Sequence, residues 1–147
     1  MGGLDSIANE QGPDSVEKLV KYFLFSSTFR DDKLSIMQYI HEERNAHLHL
    51  KLERQIPKKT VKPLTKIITQ GIEEKIFFTD YPEETAKAFI GVSAMVLQGI
   101  YHIKPGSEEY KRKVLATFYI LEKMLGAKRD LIMDTFKKLG GKKYAFM

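Results

Sequence analysis

The chain contains no cysteine among its 147 residues. It therefore cannot form a disulfide, hold a metal through thiolates or use a cysteine nucleophile, which is compatible with a reducing cytoplasm. It also lacks an unbroken apolar segment of membrane-spanning length, and its first six residues lack the basic and hydrophobic regions of a secretory signal. We therefore expect a cytoplasmic protein with no membrane association.

The sequence also lacks the patterns that indicate catalysis. No nucleophile elbow surrounds a serine, and no glycine-rich phosphate-binding loop is present. The segment 41–45, His-Glu-Glu-Arg-Asn, begins like a zinc-protease motif but has Asn45 where the second histidine is required. His47 and His49 would diverge on a helix because they are only two residues apart. We predict no enzymatic activity, no cofactor and no metal, and an all-helical enzyme is the least favoured function.

The charged residues predict a surface of mixed sign with a modest excess of positive charge. There are 24 basic and 19 acidic residues, a formal net charge of +5, which is too weak an excess to indicate nucleic-acid binding. The densest basic run has no interleaved aromatic residues, which argues against single-stranded nucleic acid and leaves an anionic ligand or partner open. Its members are Lys51, Arg54, Lys58, Lys59, Lys62 and Lys66.

Two helices joined by a tight turn are predicted between residues 60 and 102. In the first helix, apolar residues recur at steps of three and four and place one side of the helix in a core, with its end at 77–78. The second helix begins at Asp80, with Glu83 completing a capping box and Pro82 in the first turn. It is apolar or small on nearly every side, so it must be covered all round, and a second subunit can provide that cover.

The remaining segments also show helical periodicity. We predict helices over 4–10, from Asp14 towards Phe29, over 34–44, from a Ser107 cap to 125, and over 129–139.

One stretch is ambiguous. Polar and apolar residues alternate over 47–52, as in a strand, but no second strand could pair with it, so we predict a helix there. Pro57 and Pro63 each remove an amide donor and predict a kink or break near 55–60.

The segment 63–77 (PLTKIITQGIEEKIF), followed by 80–86 (DYPEETA), resembles the C-terminal regulatory domain of tetracycline-repressor (TetR) family transcription factors. The resemblance extends roughly over 4–127, and it has Lys75 where many members have glycine. It implies an all-α antiparallel helix bundle in which two long helices form a dimer interface and a small ligand binds in the middle.

The resemblance also implies the organisation of the chain. Residues 1–147 are expected to form a single ligand-binding and dimerisation domain. Within it, 1–12 would be the remnant of a connector helix, 13–127 the core and 128–147 a C-terminal helix with a basic tail. Family members bind DNA through an N-terminal helix-turn-helix, which is absent here, so we expect either a fragment or a natural stand-alone regulatory domain.

Two sets of site residues follow from the resemblance. Side chains that would surround a central cavity for a mostly apolar ligand, each of which could equally be plain core, are Phe23, Phe29, Met37, Tyr39, Ile40, Leu48, Leu52, Ile68, Ile72, Phe89, Ser93 and Val96. Residues that would form the dimer interface are Ala86, Ile90, Gly91, Ala94, Leu97, Val114, Phe118, Leu121 and Leu125.

The sequence therefore favours an effector-sensing, homodimerising domain of a TetR-like regulator. Its partners would be a second copy of the chain, a small-molecule effector and, only through the missing helix-turn-helix, DNA. The alternative is a stand-alone helical module that uses the same apolar helix to hold a protein partner.

Overall fold

The computed structural model describes residues 2–28, 46–97 and 102–140, and this part of the chain contains six α-helices and no β-strand. The predicted all-α class is therefore confirmed. The predicted helix over 34–44 lies outside the described residues. The six helices are α1 (Gly2–Asn9), α2 (Ser15–Thr28), α3 (Ala46–Glu73), α4 (Pro82–Val96), α5 (Glu108–Leu125) and α6 (Leu131–Gly140).

Helix α3 is the centre of the described fold. It packs against α1, α2 and α4, while α5 packs against α4 and α6, and α6 returns to pack on α2. The side chains of Leu64, Ile67 and Ile68 on α3 are completely buried, as their spacing of three and four predicts. None of the helices in the described ranges combines the length and apolar character needed to cross a membrane.

Of the predicted kink or break near residues 55–60, the break is wrong, because α3 runs through both prolines for 28 residues, and the kink stays a prediction. Pro63 removes one amide donor from the helix, but the residue is buried, and the Tyr22 hydroxyl on α2 donates to the Thr60 carbonyl at 3.2 Å. Packing against α2 thus supplies a donor to the turn that precedes Pro63. The segment 47–52 is helical, as predicted from its lack of a pairing partner.

Helix α3 ends at Glu73, earlier than the predicted end at 77–78, in a left-handed turn at Lys75. Lys75 has φ of 61°, its amide donates to the Ile72 carbonyl at 3.1 Å, and the Ile76 amide donates to the Gly71 carbonyl at 2.9 Å. These two bonds form a Schellman motif with Lys75 at the position that usually takes glycine. This is the position where the TetR pattern has glycine.

The chain leaving this turn folds back over α3 and reaches the end of α5. A Cβ atom at Gly71 would overlap the ring of Phe77, whose Cγ atom would lie only 2.7 Å away, and Phe77 is completely buried. The next amide, that of Phe78, donates to the Leu125 carbonyl at 2.8 Å. Gly71 therefore leaves the space in which Phe77 lies, and the turn satisfies a carbonyl that the end of α5 leaves unpaired.

The predicted capping box at Asp80 and Glu83 is wrong. Pro82 occupies the first turn of α4 as predicted, but this makes Tyr81 the N-cap residue, and its side chain makes no capping hydrogen bond. Asp80 is exposed and lies one residue too early. Thr79 orders the turn, because its hydroxyl accepts a hydrogen bond from the Tyr81 amide at 3.1 Å.

The predicted helix starts at Asp14 and Ser107 are confirmed. The Asp14 carboxylate accepts a hydrogen bond from the Glu17 amide at 2.9 Å, and the Ser107 hydroxyl accepts one from the Tyr110 amide at 3.3 Å. Helix α5 ends at Gly126, which has φ of 63°. A Cβ atom there would lie only 2.7 Å from the Phe78 carbonyl oxygen. This position therefore needs glycine both for its positive φ and for the close approach of the Phe78 backbone.

Helix α6 is attached to α5 by a buried carboxylate. The Glu122 side chain is only 4% exposed and accepts hydrogen bonds from the amides of Asp130, at 3.1 Å, and Ile132, at 2.8 Å. These amides belong to the start of α6, where a negative charge also meets the positive end of the helix dipole. Glu122 thus fixes where α6 begins.

Candidate functional site

The described part of the predicted pocket is largely core. Phe29, Met37, Tyr39 and Ile40 lie outside the described residues. Leu48 and Leu52 belong to α3, and their side chains lie outside the described part of the chain. Ile68 and Phe89 are buried in the core, Ile72 packs against it, and Val96 is half-buried.

The place predicted for a ligand next to Phe23 is filled by aromatic rings of the chain itself. The Phe23 ring lies 5.3 Å from the Phe118 ring of α5 and 6.3 Å from the Phe136 ring of α6, and the latter two are 5.2 Å apart. Edge-to-face packing of this kind is typical of a core. The core interpretation of Phe23 is therefore favoured over a ligand contact.

Ser93 is the polar exception in this set. Its hydroxyl oxygen is buried and has no hydrogen-bond partner within the described part of the chain. A buried hydroxyl without a partner costs about 1–3 kcal/mol, so it is an available polar contact on an otherwise apolar helix.

The predicted dimer residues fall into two groups. Gly91 and Ala94 are exposed and Ile90 is half-buried. The other six are buried within the chain itself and are therefore unavailable to a partner: Ala86, Leu97, Val114, Phe118, Leu121 and Leu125.

Exposed apolar side chains lie on each of the neighbouring helices α4 and α5. On α4, Met95 is 72% exposed and lies on the same side as Gly91, one turn away. On α5, Leu115 and Tyr119 are 52% and 48% exposed and also one turn apart. We define Ala88, Gly91, Ala94, Met95, Leu115 and Tyr119 as the α4–α5 surface.

Sequence reasoning found only part of this surface, although a signal was present. On α5, Val114, Phe118 and Leu121 repeat at steps of four and three, which gives one core side. Leu115 and Tyr119 are out of phase with that side by one residue. Apolar residues out of phase with a complete core repeat indicate a second apolar surface.

A groove of about 990 Å³ lies between α1, α3 and the start of α4. None of the predicted pocket residues lines it. Its walls carry mainly polar side chains: Ala8, Asn9, Gln11, Lys18, Val61, Lys62, Thr65, Lys66, Thr69, Gln70, Glu73, Glu83 and Lys87.

Lysines hold α1 against the groove. The amino group of Lys18 donates to the Ala8 carbonyl at 3.0 Å and to Gln70 Oε1 at 2.7 Å, and Lys18 is only 5% exposed. The Lys66 amino group donates to Asn9 Oδ1 at 2.8 Å. The bonds of Lys18 to Ala8 and of Lys66 to Asn9 lie at the C-terminal end of α1, where cations also interact favourably with the helix dipole.

A second polar network joins the start of α2 to α3. Gln70 Nε2 donates to the Pro13 carbonyl at 3.2 Å and to Glu74 Oε2 at 2.7 Å, while Glu74 Oε1 accepts from the Ser15 amide at 2.9 Å. Desolvation raises the pKa of the Glu74 carboxyl, but the hydrogen bonds from Gln70 and Ser15 together outweigh it. The pKa of Glu74 is therefore lowered below its ordinary value.

The described side chains offer no grouping of three or more histidine, aspartate or glutamate residues that could hold a metal ion. The chain matches no protein-family model, and neither a curated protein nor a solved structure is significantly similar to it.

Proposed function

We propose that the chain is the homodimerising, effector-sensing regulatory domain of a TetR-like transcriptional regulator. The observation that carries this proposal is the α4–α5 surface, which exposes apolar side chains on two helices that pack against each other. Exposed apolar patches on soluble proteins are typical of interaction sites.

A second copy of the chain is the partner that fits this surface best. In a twofold dimer the same patch meets itself, so a surface of small and apolar residues needs no complementary charge on the partner. Gly91 and Ala94 would allow close approach of the helices, and Met95 and Leu115 would fill the space beside them. This is the arrangement that the resemblance implies for the last two long helices.

The turn at Lys75 supports the resemblance independently. A lysine rarely adopts positive φ, yet Lys75 has φ of 61° at the position where the TetR pattern has glycine. The backbone conformation that glycine favours is thus kept although the glycine is absent. Because about a third to a half of all helices end in a left-handed residue, this agreement is one supporting detail and not a signature of the family.

The small-molecule part of the proposal rests on Ser93. Its hydroxyl is buried and has no partner in the described part of the chain. Ser93 lies on α4 beside Val92 and about one turn before Val96, and both valines are half-buried. An effector that offers one hydrogen-bond acceptor or donor there would satisfy it. Replacement of Ser93 by alanine should then weaken effector binding while leaving the free protein as stable or slightly more stable.

Sedimentation velocity tests the dimer. We expect the native chain to sediment as a dimer and Met95→Glu and Leu115→Glu to sediment as monomers, since each would place a charge in an apolar interface. Gly91→Glu should do the same or become insoluble. Phe78→Glu is the matched control, because Phe78 is 63% exposed but lies outside the α4–α5 surface. A native monomer, or variants that remain dimers with unchanged helical circular dichroism, would contradict the proposal.

Native mass spectrometry of the protein purified from cells, beside a denatured sample, tests the effector. A dimer that carries an additional non-covalent mass supports a regulatory domain. A helix-turn-helix encoded upstream of the first residue would support it further. A dimer without any bound molecule, together with a native start codon at Met1, would instead favour the stand-alone interaction module.

A further inference from the structure

The groove between α1, α3 and α4 has an excess of positive charge. Four lysines line it, at positions 18, 62, 66 and 87, against two glutamates, at positions 73 and 83, so four positive minus two negative charges leave an excess of two. Only one close ion pair joins these residues, between Lys87 and Glu83 at 3.2 Å. Within the described part of the chain, the lysines on α3 therefore act on the groove without a neutralising carboxylate in contact.

Lys62 and Lys66 are the two cations best placed for a ligand. They are four residues apart on α3 and so lie one above the other on the same side of the helix. Lys66 is exposed and bonds to the neutral amide oxygen of Asn9. Lys62 is exposed and makes no hydrogen bond or ion pair within the described part of the chain.

Lys18 adds a buried positive charge at the inner end of the groove. Its two acceptors, a backbone carbonyl and an amide oxygen, are both neutral. A buried ammonium group is costly unless it is fully hydrogen-bonded or paired with an opposite charge. The Glu74 carboxylate interacts with the charge of Lys18 and offsets part of this cost. Lys18 therefore adds positive potential to the groove and does not contact an anion held between Lys62 and Lys66.

The groove also offers apolar surface beside its cations. Ala8 and Val61 line it but are only 7% and 8% exposed, so they contribute a small apolar floor beside the lysine side chains. The Thr65 hydroxyl donates to the Val61 carbonyl at 2.8 Å, which leaves its oxygen free to accept. An inorganic ion would use the lysines alone, whereas a longer molecule would use the floor as well.

From this combination we infer that the groove binds an organic anion, with a carboxylate or phosphate group between Lys62 and Lys66 and an apolar body on Ala8 and Val61. The site does not overlap the predicted central pocket, and the inference does not depend on the proposed regulatory function. Carboxylate and phosphate share the chemistry that these lysines recognise, a charged oxygen acceptor for ammonium donors.

Isothermal titration calorimetry of the full chain with octyl phosphate and with octanoate tests this inference. We expect saturable binding of at least one of the two, none with neutral octanol, and a Kd about tenfold or more higher in Lys66→Glu and in Lys62→Glu. Lys59→Glu is the matched control. It makes the same charge change on the same helix at an exposed residue that does not line the groove.

The outcomes separate a site from general electrostatic attraction. Retained affinity in Lys59→Glu with loss in Lys66→Glu supports the groove, and the tighter of the two anions identifies the charged group. Equal weakening in Lys59→Glu and Lys66→Glu would overturn the assignment, as would the absence of saturable binding of both anions. Thermal unfolding of the native chain with octyl phosphate keeps the inference testable without any variant, because a bound anion must raise the Tm and a non-binder leaves it unchanged.

Discussion

Replacing Gly71 by alanine should destabilise the protein, although the same substitution inside a helix usually stabilises it. Gly71 lies in the last turn of α3, and its carbonyl accepts hydrogen bonds from the amides of Ile76, at 2.9 Å, and Phe77, at 3.0 Å. A Cβ atom at this residue would overlap the completely buried Phe77 ring. The ring cannot stay where it is, and its displacement would disturb the turn that ends the helix.

Two opposing effects determine the size of the change. Alanine has a better helix propensity than glycine, which contributes about 1 kcal/mol of stabilisation. Overpacking a filled core costs about 1–3 kcal/mol, and complete expulsion of a phenylalanine ring costs about 3–5 kcal/mol. The overlap involves several ring atoms, so we place the steric cost near the top of the first range, about 3 kcal/mol. The net destabilisation is then about 2 kcal/mol, which corresponds to a Tm lower by about 6 °C.

Urea unfolding followed by far-ultraviolet circular dichroism would measure this change, with Gly91→Ala as the matched control. Gly91 also lies within a helix, but nothing is found within 4 Å of a Cβ atom built there. In the Met95→Glu background, where the α4–α5 surface is expected to be unpaired, Gly91→Ala should therefore be stabilised by about 1 kcal/mol. A Gly71→Ala protein that is as stable as the native chain or more stable would refute the reasoning. A destabilised Gly91→Ala in the otherwise native chain would instead report close contact from a second chain at the α4–α5 surface.

Three further predictions concern side chains that satisfy backbone groups. Burial raises the pKa of Tyr22 from 10.0 to about 12, although a hydrogen bond with the Thr60 side chain acts in the opposite direction, so the folded state holds its proton more tightly than the unfolded state. Stability should therefore fall as pH rises from 10 to 12, by about 2 kcal/mol, and Tyr22→Phe should lose less over that range while costing about 1 kcal/mol at pH 7. Glu122→Ala leaves the buried amide of Ile132 without an acceptor and should destabilise by about 2–3 kcal/mol, measured by urea unfolding against the exposed control Glu109→Ala. Ser107→Ala removes the cap of α5 and should cost about 1 kcal/mol in the same assay, and no change would contradict the capping assignment.

Local signals in the sequence predicted the helix starts and the core sides well. Asp14 and Ser107 cap their helices as predicted. A capping side chain bonds to an amide only two or three residues away, so the local sequence is enough to predict the bond. Leu64, Ile67 and Ile68 are buried because helical spacing places them on one side. The same logic failed at Asp80, where Pro82 in the first helical position moves the cap to Tyr81.

Features that depend on distant parts of the chain could not be read from the sequence. Helix α3 continues through Pro63, where it packs against α2 and the Tyr22 hydroxyl donates to the Thr60 carbonyl in the preceding turn. Glu122 attaches α6 through amides eight and ten residues away, which no capping pattern contains. The groove likewise combines Asn9 on α1 with Lys66 on α3, 57 residues apart, so its lining follows only from the packing of four helices.

Helix α4 connects the two surfaces for which we propose functions. Its first two turns contribute Glu83 and Lys87 to the groove, and the next residue along, Ala88, begins the exposed apolar surface that continues to Met95. An anion bound beside Lys66 would compete with Asn9 of α1 for the Lys66 amino group. It would also attract Lys87, which is paired with Glu83. A change in the position of α4 would then alter both how α1 is held and how two copies of the α4–α5 surface meet. Binding in the groove should therefore shift the dimer dissociation constant measured by sedimentation, and by linkage the Met95→Glu monomer should differ from the native dimer in its affinity for octyl phosphate. Because a dimer has two grooves, the shift of the dimer dissociation constant at saturation should equal the square of that affinity ratio. Equal affinity in the native dimer and in the Met95→Glu monomer would mean that the two surfaces act independently.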